Sequence, residues 1–268
     1  MSKKVLFITD SYESLNLKKD TSILMIDEAI KNKLDVFQCE LNDLFIEEDT
    51  VFANSSSILS SQSKFIKDTD KKEIKVSDFK HCFMRKDPPV DGDYINALHL
   101  LGLAEKQGAN VHNKPNSIKE FNEKIFAIHF SKFIPNTLVT SNIKKIHKFF
   151  ERYENIVIKP LDGMGGKSIF KITEFNNQDI DLINKMTNSG KTQIICQKFI
   201  EEIFDGDHRI LIIHGKPFHK TLARIPEQGS FKGNLAAGGT GVAKDITDFQ
   251  KTIGKEIGSI SVSYTHLT

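Results

Sequence analysis

One short stretch of this sequence has the residue types and spacing of a phosphate-binding loop. It begins with Lys159 and Pro160 and ends with Gly163, Met164, Gly165 and Gly166. The β-branched, apolar residues 156–158 before it predict one strand, and residues 168–172 after it predict a second. A lysine at the end of a strand, next to glycines with free backbone N–H groups, suits a polyphosphate. An ordinary tight hairpin is the alternative that composition leaves open.

Two other phosphate motifs do not fit this loop. Gly166-Lys167-Ser168 imitates the end of a Walker A loop, but Leu161 stands where the first glycine is required and no helix is predicted to follow. The dinucleotide fingerprint fails as well, because Ser168 occupies the position of its third glycine. The loop is therefore predicted to be a glycine-rich flap between two antiparallel strands.

Length and composition limit the classes of protein to consider. The 268 residues are enough for one large domain or two modest ones. A net charge of +2 without a block of Lys and Arg indicates no nucleic-acid partner. No segment approaches the roughly 20 apolar residues of a membrane span, which indicates no membrane partner. Three scattered cysteines predict reduced thiols and a cytoplasmic location.

Residues 1–118 are predicted to form an α/β domain. The apolar segment Val5–Ile8, a polar loop, an amphipathic helix and a second strand follow in the order typical of a parallel sheet. Ligands bind at the carboxyl ends of such strands, so the loop over 10–20 is a site candidate, although a solvated connector fits equally well. Residues 53–75 predict a surface hairpin or a mobile loop.

Arg85 is the second candidate in this part of the chain. A strand predicted over 79–84 runs into Arg85, and Pro88 and Pro89 then fix the backbone. Arg85 would lie at the carboxyl end of a strand, placed to pair with a carboxylate. A surface ion-pair cluster is the alternative.

Residues 119–268 are predicted to form a second domain that binds a nucleotide. Ser117 and Glu120 have capping-box spacing, which predicts a helix that extends to Ile128 and carries Lys124. A strand ending in acidic residues follows over 193–200 and could bind adenine through its backbone. The five glycines of residues 226–241 predict a loop that cannot pack a core, which favours a mobile lid.

Taken together, these segments resemble the bacterial glutathione synthetases, a family of ATP-grasp ligases. The similarity runs in order from residue 1 to about 259, and five motifs carry it: Met84-Arg85-Lys86-Asp87-Pro88-Pro89, Asn122-Glu123-Lys124, Lys159 to Gly166, Ala223-Arg224-Ile225-Pro226 and Gly233 to Gly239. The implied fold class is α/β, with α+β in the C-terminal part. A Rossmann-like pre-ATP-grasp domain would precede an ATP-grasp domain that is truncated at its C-terminus.

The resemblance implies that ATP, γ-glutamylcysteine and glycine react to give glutathione, ADP and phosphate through an acyl phosphate. The resemblance also leaves open the formation of a homo-oligomer. By motif position, the ATP-binding residues would be Lys124, Lys159, Gly163, Met164, Gly165, Gly166, Gln197, Lys198, Phe199, Ile200 and Asp207. The acyl phosphate would be steadied by Arg209 and Arg224. The substrate-binding residues would be Arg85, Lys232 and Asn234.

The chain departs from the family pattern in two places. Lys232 stands where the family enzyme has an arginine, which keeps the charge but loses the bidentate geometry. Residues 261–268 stand where a strand and an acidic, magnesium-ligating segment are expected. A truncated or misassembled reading frame would explain this. The family implies Mg²⁺, but no metal ligand is assigned here, and residues 1–268 alone are expected to be inactive.

Two other functions remain open at this point. One is a different ATP-grasp ligase that adds an amino acid to a peptide, although the Arg85 and lid motifs argue against it. The other is an inactive fragment that only binds nucleotide.

Overall fold

The structure is a computed structural model that describes residues 3–17, 20–61, 64–122, 124–162, 168–213 and 215–261. Its contacts divide the described chain into two compact units. The first unit extends to Glu120, and the second begins at Phe121.

The first unit is built on a seven-stranded sheet. Its strands are β1 (Lys4–Ile8), β2 (Asp35–Cys39), β3 (Leu44–Glu47), β4 (Thr50–Ser61), β5 (Lys64–Lys75), β6 (His81–Met84) and β7 (Val111–His112). The strand order is β3-β4-β2-β1-β6-β7, with β5 paired to β4. The four strands β2, β1, β6 and β7 are parallel, which confirms the parallel sheet predicted from the sequence.

The central strand β1 is buried on both faces because helices cover the sheet from both sides. Val5 and Phe7 pack in one apolar cluster, and Leu6 and Ile8 pack in the other. The helices of this unit are α1 (Thr21–Lys31), α2 (Gly92–Lys106) and α3 (Pro115–Glu120). Aspartates cap the first two helices: Asp20 and Asp91 each accept a hydrogen bond from a backbone N–H of the first turn.

Most of residues 53–75 lie in β4 and β5, which form an antiparallel hairpin and are each 12 residues long.

The prediction of a single helix from Ser117 to Ile128 is wrong. Helix α3 begins at Pro115 and ends at Glu120, and a separate 3-10 segment spans Phe126–Phe133. The interruption has a local cause. The Asn122 Oδ1 atom accepts hydrogen bonds from the backbone N–H groups of residues 124 and 125, at 3.0 and 3.1 Å, and caps a new turn.

The second unit begins with a four-stranded antiparallel sheet in the order β10-β9-β11-β8. Its strands are β8 (Thr137–Thr140), β9 (Ile156–Pro160), β10 (Phe170–Ile172) and β11 (Ile194–Lys198). Helices α4 (Ile143–Tyr153) and α5 (Asn177–Met186) pack on one face. Ile156 and Ile158 of β9 meet Ile146 and Ile183 of these helices in a buried core. Val157 and Lys159 alternate with the core residues, so they lie on the opposite face of the sheet.

A three-stranded antiparallel sheet completes the second unit in the order β12-β13-β14. Its strands are β12 (Asp207–Ile213), β13 (Lys216–Ile225) and β14 (Thr240–Asp245), and helix α6 (Asp248–Ser261) follows. The helix approaches β13 closely at Gly254, where a Cβ atom would stand 2.8 Å from the Cβ atom of Pro217. Strand β14 is absent from the sequence-based prediction. Its residues are all exposed and lack the apolar alternation that predicts a strand.

Within the part of the chain that the structure describes, no helix combines the length and the apolarity needed to cross a membrane.

The buried core of the second unit makes a testable contribution to stability. Ile158 is fully buried in β9, so Ile158→Ala should lower the free energy of unfolding by about 2–5 kcal/mol through lost burial and a residual cavity. Ile128→Ala is the matched control, because the Ile128 side chain is 41% exposed. This substitution should lower the free energy of unfolding by about 0.5 kcal/mol or less. Denaturant titration of both variants measures the difference. Similar losses would show that Ile158 does not belong to a packed core.

Candidate functional site

Lys159 lies one residue before the end of β9, on the face of the sheet opposite helices α4 and α5. It pairs with Ile195 of β11, and its side chain is half-buried. The Nζ atom donates a hydrogen bond of 2.9 Å to Oε1 of Gln197. The Nε2 atom of Gln197 donates in turn to Oγ1 of Thr137, at 3.0 Å. The amide of Gln197 therefore fixes the lysine on this face.

A second ammonium group lies near the first. Lys124 precedes the 3-10 segment, and its Nζ atom donates to the carbonyl oxygen of Leu161 at 3.2 Å. The pKa of Lys159 is lowered from 10.5 mainly because burial disfavours its charged form, and secondly because of the positive charge of Lys124. The carboxylate of Asp207 acts in the opposite direction. The structure thus brings three sequence-predicted residues into one partly desolvated cleft that favours an anion.

Asp207 and Arg224 form an ion pair across β12 and β13. They are directly opposite in the strand register, and the Arg224 side chain is 13% exposed. The Nε atom of Arg224 is buried and has no hydrogen-bond partner among the described residues. Arg209 lies two residues after Asp207, on the same face of β12, and its side chain is exposed. This face therefore carries both arginines that the sequence resemblance assigns to the acyl phosphate.

The glycine-rich segment packs against this ion pair. The loop is shorter than predicted, because β14 begins at Thr240. At Gly233, an added Cβ atom would stand 2.7 Å from the carbonyl oxygen of Arg224 and 3.1 Å from Cβ of Asp207. A side chain at this position would force the segment away from the pair. Lys232 and Asn234, the two predicted substrate-binding residues of the segment, are half-buried on either side of this contact.

The predicted adenine-binding segment, residues 197–200, begins with the last two residues of β11 and continues beyond the strand. Lys198 is exposed, Phe199 is buried, and Ile200 is 46% exposed. Sequence reasoning missed two neighbours of this segment. Thr137 orients Gln197, and the Nζ atom of Lys171 lies 3.9 Å from the centre of the Phe199 ring. The polar position of Lys171 between two apolar residues was the available signal for its orientation. The flap residues Gly163, Met164, Gly165 and Gly166 lie outside the described residues.

Arg85 lies at the carboxyl end of a parallel strand in the first unit, as predicted. Its backbone N–H donates to the carbonyl oxygen of Ile8 at 2.8 Å. Asp10 follows the neighbouring strand β1, and its carboxylate binds Lys86 Nζ at 2.8 Å and the backbone N–H of Asp87 at 3.1 Å. These bonds hold the backbone on both sides of Arg85, so this residue is carried by a fixed segment.

The described residues do not fit a magnesium site. No group of three or more metal-ligating side chains occurs among them. Asp207, the carboxylate whose charge acts on Lys159, is engaged by Arg224.

Two family models together cover most of the chain. The model described as prokaryotic glutathione synthetase, N-terminal domain, matches residues 3–119, and the one described as prokaryotic glutathione synthetase, ATP-grasp domain, matches residues 123–264. The glutathione synthetase of Nitrosomonas europaea is 40% identical over 262 residues, which are 96% of this chain and 82% of the relative. That of Buchnera aphidicola subsp. Schizaphis graminum is 38% identical over 247 residues, 91% of this chain and 77% of the relative.

Solved structures with low sequence identity share the fold. The D-cycloserine synthetase DcsG superposes with a TM-score of 0.63 at 12% identity, covering 96% of this chain and 81% of that one. The D-alanyl-alanine synthetase A of Vibrio cholerae superposes with a TM-score of 0.60 at 14% identity, covering 99% of this chain and 82% of that one.

The fold and the matched ATP-grasp family model define an ATP-dependent ligase of the ATP-grasp class. Both family models and the curated relatives agree on the particular group within that class. The chain belongs to the prokaryotic glutathione synthetase family.

The lowered pKa of Lys159 makes a prediction about stability. Between the folded-state pKa and 10.5, the unfolded chain binds more protons than the folded one, so the free energy of unfolding rises with pH. Lys159→Met removes this titration. The wild type should therefore gain stability relative to the variant as the pH rises toward 10.5. Urea titrations across this range measure it, with Lys185→Met on the exposed side of α5 as the control. A constant difference between wild type and Lys159→Met would contradict the lowered pKa.

Proposed function

We propose that this chain joins γ-glutamylcysteine to glycine with the energy of ATP, forming glutathione, ADP and phosphate. The observation that carries the proposal is the cleft with the two ammonium groups of Lys124 and Lys159. Two neighbouring ammonium groups, one of them half-buried, suit an anionic ligand that neutralises their charge. The triphosphate of ATP has the charge and the length to contact both.

The nucleotide would lie along the face of the β9–β11 sheet that carries Lys159. Lys124 and Lys159 would bind its phosphates, and the flap over Gly163–Gly166 would cover them. Adenine would lie against residues 197–200, with Asp207 on the nucleotide side. The support is that Lys159 and Gln197 lie on one face of the neighbouring strands β9 and β11 and are joined by a hydrogen bond.

The reaction would proceed in two steps. An oxygen of the cysteinyl carboxylate attacks the γ-phosphorus, and the bond to ADP breaks to give an acyl phosphate. The amine of glycine then attacks the carbonyl carbon, loses a proton, and expels inorganic phosphate. Negative charge grows at the phosphoryl and carbonyl oxygens, where a fixed guanidinium lowers the barrier. Arg224 suits this role because it is positioned by Asp207 and keeps a buried Nε–H donor without a described partner.

Four further residues would contact the substrates. Arg85 would bind a carboxylate of the dipeptide in bidentate fashion. Arg209 would assist Arg224, while Lys232 and Asn234 would close on the substrates from the glycine-rich segment. Exclusion of water matters because an acyl phosphate is otherwise hydrolysed.

Three further points belong to the proposal. The family implies Mg²⁺, and we derive no step through it, since the described residues provide no site. The three free cysteines are buried, which is compatible with a reducing cytoplasm. The resemblance to the family leaves the formation of a homo-oligomer open.

A ligase that adds an amino acid to a longer peptide is the second candidate, because the fold neighbours have varied substrates. Arg85 discriminates between the two. It suits the carboxylate of a small dipeptide, and a longer peptide would have to place a carboxylate at the same point. Competition between γ-glutamylcysteine and longer peptides for binding would decide between them.

The first prediction of this proposal concerns ATP. Lys159→Ala removes a charge-assisted contact worth about 1.5–3 kcal/mol, so ATP affinity should fall about tenfold to a hundredfold. Calorimetric titration measures it, and circular dichroism checks that the variant is folded. Lys185→Ala, an exposed lysine of the same unit, is the control. Unchanged affinity in a folded Lys159→Ala protein would remove Lys159 from the site.

The second prediction concerns the dipeptide. Arg85→Lys keeps the positive charge but loses the planar fork, so affinity for γ-glutamylcysteine should fall about tenfold while ATP affinity stays the same. The exposed Lys80→Ala is the control in the same unit. If ATP and dipeptide affinities fall together, Arg85 supports the structure of the unit and does not bind the dipeptide.

A further inference from the structure

The glycine-rich segment carries one large apolar side chain that contacts the predicted adenine-binding segment. The ring of Phe231 lies against the ring of Phe199, with centroids 6.0 Å apart and an interplanar angle of 83°. This edge-to-face arrangement is one of the favoured geometries of aromatic pairs. The contact joins residues that are far apart in the sequence, and neither the family matches nor the predicted site assigns a role to Phe231.

Phe199 is a fixed platform for this contact. It is only 8% exposed, and its backbone N–H donates to the carbonyl oxygen of Asn155 at 2.9 Å. The Nζ atom of Lys171 lies over its ring at 3.9 Å from the centre, in a cation–π geometry. The ring of Phe204 packs on it at 6.4 Å and 65°. These neighbours restrict the movement of the Phe199 side chain.

The residues after Phe231 are anchored at a different point. Lys232 donates its backbone N–H to Oγ of Ser230 at 3.1 Å. The next residue, Gly233, packs against the backbone of Arg224 so closely that a Cβ atom would not fit. Lys232 is therefore held between an aromatic anchor on the nucleotide side and a backbone contact on the arginine side.

We propose that Phe231 is a positioning residue that docks the glycine-rich segment on Phe199 and thereby holds Lys232 over the site. The proposal rests on the proposed function, because it takes residues 197–200 as the adenine-binding segment and Lys232 as a substrate contact. Adenine bound along residues 197–200 would further restrict Phe199. Nucleotide binding and docking of the segment would then stabilise each other, as linkage requires.

The alternative is that Phe231 only buries apolar surface. In that case, any apolar residue would serve, and the segment would not respond to the nucleotide. The two cases differ in whether the aromatic ring is required and in whether ATP changes the exposure of Lys232.

Trypsin provides a direct measurement because it cleaves after Lys232, beside the proposed anchor. The 268-residue chain and its variants are digested briefly with and without ATP, and mass spectrometry quantifies cleavage at each lysine. Phe231→Ala should speed cleavage after Lys232 about two- to tenfold, the range expected for one aromatic pair. Phe231→Tyr keeps the ring and should restore slow cleavage, whereas Phe231→Leu should not. Cleavage after Lys185, on the exposed side of α5, should be the same throughout.

Phe204→Ala is the matched control, because it also removes a ring from Phe199 but lies outside the glycine-rich segment. It should leave cleavage after Lys232 unchanged. ATP should slow that cleavage in the wild type and protect Phe231→Ala less. Equal cleavage of wild type and Phe231→Ala, or equal acceleration by Phe204→Ala, would overturn the inference. A calorimetric titration in which the wild type does not bind ATP would instead contradict the proposed function, and the digestion without ATP would still decide whether Phe231 docks.

Discussion

The site depends on one electrostatic constraint, the proximity of two ammonium groups in a partly desolvated cleft. Burial and the charge of Lys124 both disfavour protonation of Lys159. The free protein accommodates the two neighbouring ammonium groups because three oxygen-containing groups face the lysines. Gln197 and the carbonyl oxygen of Leu161 accept hydrogen bonds, and Asp207 supplies a negative charge. The two ammonium groups in this arrangement suit a ligand with several negative charges.

The fold provides this arrangement through strand alternation and register. In β9, Ile156 and Ile158 enter the core, and this orientation places Lys159 on the opposite face. In the next sheet, the pairing of β12 with β13 places Asp207 opposite Arg224, and Arg209 then follows on the same face. The close contact at Gly233 carries the glycine-rich segment to that ion pair. Each functional side chain is thus held by an element whose packing is determined elsewhere.

The sequence predicted the structural features that depend on residues close together in the chain. The apolar run of β1 predicted a strand buried on both faces, and Pro160 and the apolar residues before it placed Lys159 at a strand end. The break after Glu120 was missed because Asn122 competes for the backbone N–H groups of the next turn. The Asp207–Arg224 pair depends on a strand register that includes an irregularity between Ile210 and Ile212, which no short pattern encodes.

Hydrogen–deuterium exchange with and without ATP tests the central claim most directly, because it reports every backbone segment of the cleft in one measurement. The account predicts that ATP slows exchange in the peptides that contain Lys159 and residues 197–200, and in the peptide that joins Arg224 to the glycine-rich segment. The hairpin of β4 and β5, which belongs to the first unit, should exchange at the same rate in both states. Protection confined to other regions, or none at saturating ATP, would contradict the assignment of this cleft as the nucleotide site.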